Sequence, residues 1–220
     1  MTSKLPPQHA AQNLLYTRQP NFVFGFHGCD LLVQQKVING HAPLLPSENS
    51  YDWLGHGIYF WESNPKRALE FAQMLTEHPE RGSGHIKQPA VIGAIIDLGH
   101  CLNLMESSSL SILKFIYHLL ADECVAVGEQ LPDNISPNPS SDDLIMRKLD
   151  CAVIQRLHRF LNENGDLLYH TVRGLFFEGK ELYPHAGFRE QNHIQICVCN
   201  PNCIKGYFLP RGQDTEYPIP

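Results

Sequence analysis

Two hydrophobic periods alternate along the 220-residue chain, and an element ends where one gives way to the other. Phe22 to Phe26 is a short apolar strand closed by His27-Gly28. Asp30 then precedes a helix-like run, Leu31 to Ile38, with Leu32, Val33 and Ile38 as its core positions, and Asn39-Gly40 stops it. His41 to Asp52 carries two prolines, two serines and an asparagine, so it is a loop. It delivers the chain to Leu54-Gly55-His56-Gly57-Ile58-Tyr59-Phe60-Trp61, whose second half is a strand. Asn64-Pro65 opens the next helix, because asparagine caps an N-terminus well and proline is tolerated at the first helical position. Ala68, Phe71, Ala72 and Leu75 follow at helical spacing.

Beyond the turn-rich stretch His78 to Pro89, the run Ala90 to Ile96 is almost wholly apolar, which predicts a central strand buried on both faces. Leu110 to Val127 is a helix, Leu131 to Asp142 a flexible excursion rich in proline and serine, and about Asp143 to Asn162 a second helix. The apolar positions of that second helix are Leu144, Leu149, Val153, Leu157 and Phe160. The last third reads as β: Leu167 to His170 and Gly174 to Phe177 are short strands, and Gly179 to Gln191 is a loop. In the strand His193 to Cys199, alternation puts Ile194, Ile196 and Val198 on the core face and turns His193 and Gln195 the other way, toward a cleft. Asn200-Pro201 breaks this strand, and Ile204 to Leu209 is its returning partner. Strands and helices without regular βαβ spacing predict an α+β fold, one domain over 1–220 with a helical segment and flexible loop at about 105–165.

Composition narrows the function classes. At 43% hydrophobic the chain can bury a substantial core, yet it has no run of the roughly 20 apolar residues that a membrane span needs. Its polar, proline-containing start does not read as a signal peptide, and seven cysteines, an odd number, fit a reducing cytoplasm. A net charge of -6 weighs against nonspecific binding to nucleic acid. The pairs Lys66-Arg67, Arg147-Lys148 and Arg156 with Arg159 read as solvated helix faces. Cys197, Cys199 and Cys203 with His193 lack the paired knuckles of a zinc site, so no metal is expected, and Cys29 reads as a small buried residue.

The residues that carry chemistry are His27-Gly28 and Gly57-Ile58-Tyr59-Phe60. Cleaving the bond between nicotinamide and ribose requires a site that holds the carboxamide, presses the ring flat and stabilises an oxocarbenium-like ribose. Glycine lets main-chain N–H and C=O approach a carboxamide, histidine hydrogen-bonds a ribose hydroxyl, and an aromatic on a facing strand supplies a stacking wall. In these residues the chain resembles the ADP-ribosyltransferase superfamily, in its diphtheria-toxin-like and poly(ADP-ribose) polymerase-like branch with a His-Tyr-Glu triad. The resemblance covers about Phe22 to Phe71 and, weakly, the final strand pair. It implies a split β-sheet core with NAD as substrate. His27 would hold the ribose and Gly28 the carboxamide, Tyr59 and Phe71 would stack on the nicotinamide, and Phe60 and His193 would belong to the NAD-binding group.

The chain departs from the pattern at the third triad position, since no glutamate lies within His193 to Cys199. Gln195 is the first choice for that role, His193 the second and Glu190 the third. A glutamine cannot act as a general base, which favours transfer of a single ADP-ribose over chain elongation. The loop Gly179 to Gln191, with Tyr183, His185, Phe188 and Arg189, would choose the acceptor, or else packs over a sheet edge. Glu178, at the end of the Gly174 to Phe177 strand, could touch an acceptor but reads rather as a solvated strand end. The expected activity is mono-ADP-ribosylation of a protein or nucleic-acid acceptor. The chain's size is similar to that of bacterial intracellular toxins of the superfamily, which implies a cytoplasmic enzyme with an antitoxin partner. The rival readings are an NAD glycohydrolase, an RNA 2′-phosphotransferase, disfavoured by the lack of an arginine cluster, and an inactive module that binds NAD without consuming it.

Overall fold

Residues that alternate along the strands sort to the two faces of one sheet, and helices cover both faces. The computed structural model describes residues 22–79, 86–136 and 144–219. In chain order its elements are β1 (Phe22–Asp30), α1 (Leu31–Ile38), β2 (Ile58–Glu62), α2 (Pro65–Glu77), β3 (Pro89–Asp97), β4 (Cys101–Asn103) and α3 (Ser107–Val127). Then come the two-residue strands β5 (Asn134–Ile135) and β6 (Met146–Arg147), α4 (Lys148–Glu163), β7 (Thr171–Phe176), β8 (His193–Val198) and β9 (Ile204–Phe208). The main sheet has seven strands in the order β4-β7-β8-β2-β1-β3-β9, with β4 and β7 parallel and the other neighbours antiparallel. The fold is therefore α+β, and no helix among the described residues is long and apolar enough to cross a membrane.

One face of the sheet, with Cys29, Phe60, Ile92, Ile96 and Ile196, packs with Val37 of α1. The other face is divided between two helices. Ala68 of α2 packs with Phe26, Trp61 and Val91, while Ile154, Leu157 and Phe160 of α4 pack with Leu54, Val172 and Cys197.

Local signals account for several boundaries. Asp30 caps α1 by accepting from Leu32 N at 2.9 Å, and Asn64 caps α2 by accepting from Arg67 N at 2.9 Å, with Pro65 in the first turn. The strand expected to end at Phe26 instead continues through His27 and Gly28 to Asp30, because β3 pairs with it along its whole length. In α1 the buried position is Val37; Leu32 and Val33 are 63% and 39% exposed, since the helix meets the sheet only near its C-terminal end. The apolar run around 90–96 is buried on both faces as expected, but it lies second from one edge of the sheet.

Three assignments change. β9 pairs with β3 and not with β8, whose two sides are already taken by β2 and β7. The strand expected at 167–170 does not form: the His170 carbonyl accepts from both Cys199 N (2.9 Å) and Asn200 N (3.0 Å), a bulge-like pinch at which regular pairing ends, and one strand begins at Thr171. Helix α4 starts at Lys148 because residues 146–147 pair with 134–135. Asn134 then caps it from a distance, accepting from Leu149 N at 2.9 Å and Asp150 N at 3.2 Å. Leu144 accordingly lies outside the helix and 46% exposed, and Asp143 lies outside the described residues. Arg156 is no solvated helix residue either, being buried and paired with Glu123 at 2.6 Å and Glu163 at 3.3 Å, which ties α4 to α3.

Candidate functional site

The sheet opens between β1 and β2. These strands share only two register pairs, Gly25 with Glu62 and Phe26 with Trp61, whereas each pairs extensively with its other neighbour. Continuing the antiparallel register would place Gly28 opposite Tyr59, so the Tyr59 carbonyl would accept from Gly28 N–H. Instead that carbonyl accepts from Nδ1 of His27 at 2.8 Å. A carbonyl cannot donate, so Nδ1 carries the proton and Nε2 is left as an acceptor. Burial lowers the His27 pKa below the ordinary histidine value, against the opposing effect of the Tyr59 bond, which keeps the ring neutral at neutral pH.

The main chain of Gly28 faces this opening. Phe24 O accepts from Ser63 N at 2.8 Å, on the β2 side of β1. Main-chain direction alternates along a strand, so Gly28 turns its N–H and C=O to the same side, where β2 has diverged. Glycine is required there because a Cβ would lie 2.1 Å from the Ala68 carbonyl oxygen and 3.3 Å from Ala72 Cβ of α2. That contact closes one face of Gly28, which is itself buried.

Tyr59 meets His27 only through its main chain, since its side chain lies on the opposite face of β2 from Phe60. The phenol accepts from Leu54 N at 3.0 Å and donates to Gly55 O at 2.8 Å. It thereby anchors the Leu54–Gly57 turn, where Gly55 sits at φ +81°. Burial raises the Tyr59 pKa well above its ordinary value. Phe60 lies on the His27 side, with ring centroids 5.8 Å apart, but it is fully buried in the core. Phe71 packs on Trp61 at 4.9 Å, so Trp61 and not Tyr59 is its aromatic neighbour.

Two of the three third-role candidates, Gln195 and His193, lie on the Trp61 face. Gln195 Oε1 accepts from Trp53 Nε1 at 2.6 Å, which leaves its amide NH2 for any other partner. His193 does not line an open cleft. Its side chain is 1% exposed and lies between Trp61 (6.0 Å) and Phe176 (5.4 Å, stacked), with Nδ1 donating to Gln191 O at 2.6 Å. Burial, assisted by the Arg67 charge, lowers its pKa to about 4. Glu190 remains in the loop, where its N–H bonds Lys180 O at 3.0 Å.

A carboxylate from just past the end of β7 joins this face. Glu178 is paired with buried Arg67 of α2 at 2.6 Å and lies 4.0 Å from His193 Nδ1, so it is neither a solvated strand end nor partnered by a solvated helix face. Arg147 completes the group, its guanidinium 4.3 Å from the Phe176 ring and 5.3 Å from the Trp53 ring. Trp53 escapes the motif reading, in which Arg67 reads as part of a solvated helix face and Glu178 as a solvated strand end. The only cue to Glu178 was a carboxylate standing just past a strand end and one loop before β8.

No protein-family model, curated protein or solved structure matches this chain.

A separate concavity lies away from Gly28. An open pocket of about 890 Å³ is lined by His56, His158, Tyr169, His170 and Cys199, among others, beside the β8 end of the sheet. His27 and Gly28 lie instead where β1 and β2 diverge and their main-chain groups lack a ladder partner strand. Among the described residues no three His, Cys, Asp or Glu side chains come together as a metal-binding group.

Proposed function

We propose that the chain is an NAD-dependent mono-ADP-ribosyltransferase whose nicotinamide end binds at Gly28. The observation that carries this reading is the exchange at the split: His27 occupies the Tyr59 carbonyl and so frees the main-chain edge of Gly28. A primary carboxamide offers one acceptor and a pair of donors, the complement of a glycine N–H and C=O side by side. His27 Nε2 then accepts from a ribose hydroxyl. The Tyr59 phenol is committed to the Leu54–Gly57 turn, so Tyr59 contributes its ring, and the Trp61–Phe71 pair forms the neighbouring aromatic surface.

The Gln195 amide takes the third role by orienting the 2′-hydroxyl or the acceptor. Glu178 is held by Arg67 and lies 4.0 Å from His193 Nδ1, and an acid committed to a guanidinium suits an acceptor that is already nucleophilic. The acceptor is a protein or a nucleic acid, and the resemblance to intracellular toxins supports a cytoplasmic setting and an antitoxin partner.

Incubation of the purified protein with labelled NAD, alone and with cell protein, RNA or DNA, tests the reading. Free nicotinamide with label on one macromolecular fraction is the expected result, and His27→Ala should abolish both. Free ADP-ribose without labelled acceptor would make the protein a glycohydrolase. Intact NAD in every tube would contradict the transferase.

A further inference from the structure

Five buried side-chain polar atoms among the described residues have no hydrogen-bond partner, and three of them, Trp61 Nε1, Arg67 Nε and His193 Nε2, belong to one packed group; the others are on Asn192 and His158. The Trp61 ring lies 6.0 Å from the His193 ring and 4.9 Å from Phe71, and Arg67 stands one turn before Phe71 on the same side of α2. All three residues are more than nine-tenths buried. Each unpaired atom forfeits its bond to water without a protein bond in return, so three in one group mark a place that an outside partner completes. Their chemistry is specific. The indole Nε1–H and the guanidinium Nε–H only donate, and because His193 Nδ1 donates to Gln191 O, its Nε2 only accepts. The charge facing the guanidinium is Glu178, whose Oε2 accepts from Arg67 Nη2 at 2.6 Å and stands 4.0 Å from His193 Nδ1. Glu178 is the member nearest to solvent, its side chain 20% exposed against 9% for Arg67 and 1% for His193, so it can turn outward where the other two cannot.

A ligand that replaces the Glu178 carboxylate must bring negative charge for Arg67, since a buried guanidinium left without a counter-charge is costly. It must also bring oxygen lone pairs for two N–H donors and one O–H for His193 Nε2. A carboxylate or a phosphodiester lacks the O–H, and an alcohol lacks the charge. A phosphate monoester in its monoanionic form has all three, and its second ionisation at about pH 6 keeps that form present near neutrality. We propose that Trp61, Arg67 and His193 form a binding site for the terminal phosphate of a small phosphomonoester, and that the Glu178 carboxylate holds the Arg67 end of that site as an internal competitor. The phosphate oxygens accept from Trp61 Nε1 and Arg67 Nε, the P–OH donates to His193 Nε2, and Glu178 turns out to solvent. The site uses neither His27 nor Gly28, so it stands or falls apart from the nucleotide reading.

The test titrates the full ¹⁵N-labelled chain at about pH 6 with inorganic phosphate, phenyl phosphate and dimethyl phosphate. Calorimetry gives the affinity, and the Trp61 indole N–H signal gives the place. Inorganic phosphate and phenyl phosphate should bind saturably and shift that signal, while dimethyl phosphate, which has the charge but no O–H, should bind about tenfold more weakly. Glu178→Gln removes the competing charge and should tighten phosphate binding about tenfold, a gain that a damaged fold cannot mimic. Trp61→Phe keeps a ring against Phe71 and should weaken binding about tenfold, whereas Lys66→Ala, at an exposed position of α2, should leave it unchanged. Binding of none of the three probes, with water alone pairing the three atoms, would overturn the proposal. So would dimethyl phosphate binding as tightly as phenyl phosphate, an affinity that Glu178→Gln leaves unchanged, or one that Lys66→Ala abolishes.

Discussion

Acidification tests the packing around His193 quantitatively. In the unfolded chain the imidazole binds a proton near its ordinary 6.5, but in the folded protein, walled in by Trp61 and Phe176, only near about 4. Stability from this group is therefore present above pH 6.5 and is lost as the pH falls toward 4. At about 1.4 kcal/mol per pH unit, the loss reaches about 3 kcal/mol. Other groups titrate in the same range, so the assay compares urea unfolding of wild type and His193→Phe between about pH 7 and about pH 4. Phenylalanine keeps the aromatic stack and removes the titration. The wild-type advantage over the variant should shrink by about 3 kcal/mol across that interval. Glu178 lies 4.0 Å away, and if its charge governed the ring instead of burial, wild type would gain on the variant as the pH fell. Parallel curves, or a change of that opposite sign, would refute the reasoning.

Three further outcomes follow from particular contacts. Gly28→Ala drives a methyl into the Ala68 carbonyl of α2 and should cost about 3 kcal/mol in urea unfolding. Arg67→Met leaves Glu178 unpaired beside His193 and should cost about 3 kcal/mol; Arg67→Met with Glu178→Leu should recover most of it, a coupling that additive single variants would contradict. Asn134→Ala removes the acceptor shared by Leu149 N and Asp150 N and should lower stability by about 1 kcal/mol, with the lost amide protection confined to the first turn of α4.

What was legible in the sequence was whatever a local rule decides. Asn64-Pro65 announces α2 because cap and first-turn chemistry act within a few residues, and the alternation in His193 to Val198 sorts Ile196 and Val198 from Gln195 because a strand has period two. The α+β class follows from the same short-range patterns. Long-range pairing set the rest. No local signal says that Ile204 to Phe208 crosses to β3 because β8 is already flanked, or that Asn134 caps a helix beginning at Lys148. At the candidate site, His27 and Gly28 stood out, but the bond from His27 to the Tyr59 carbonyl depends on where β2 diverges. Glu178 was passed over as a strand end because Arg67, its partner, is remote in sequence.

The central claim is that the main chain of Gly28 receives a carboxamide. It is tested most directly by titrating ¹⁵N-labelled protein with NAD, and with nicotinamide alone, while following the Gly28 amide resonance. The account predicts a saturable shift of Gly28, accompanied by the His27 ring signals, with either ligand. NAD binding that leaves Gly28 and His27 unmoved, or no binding at all, would contradict it.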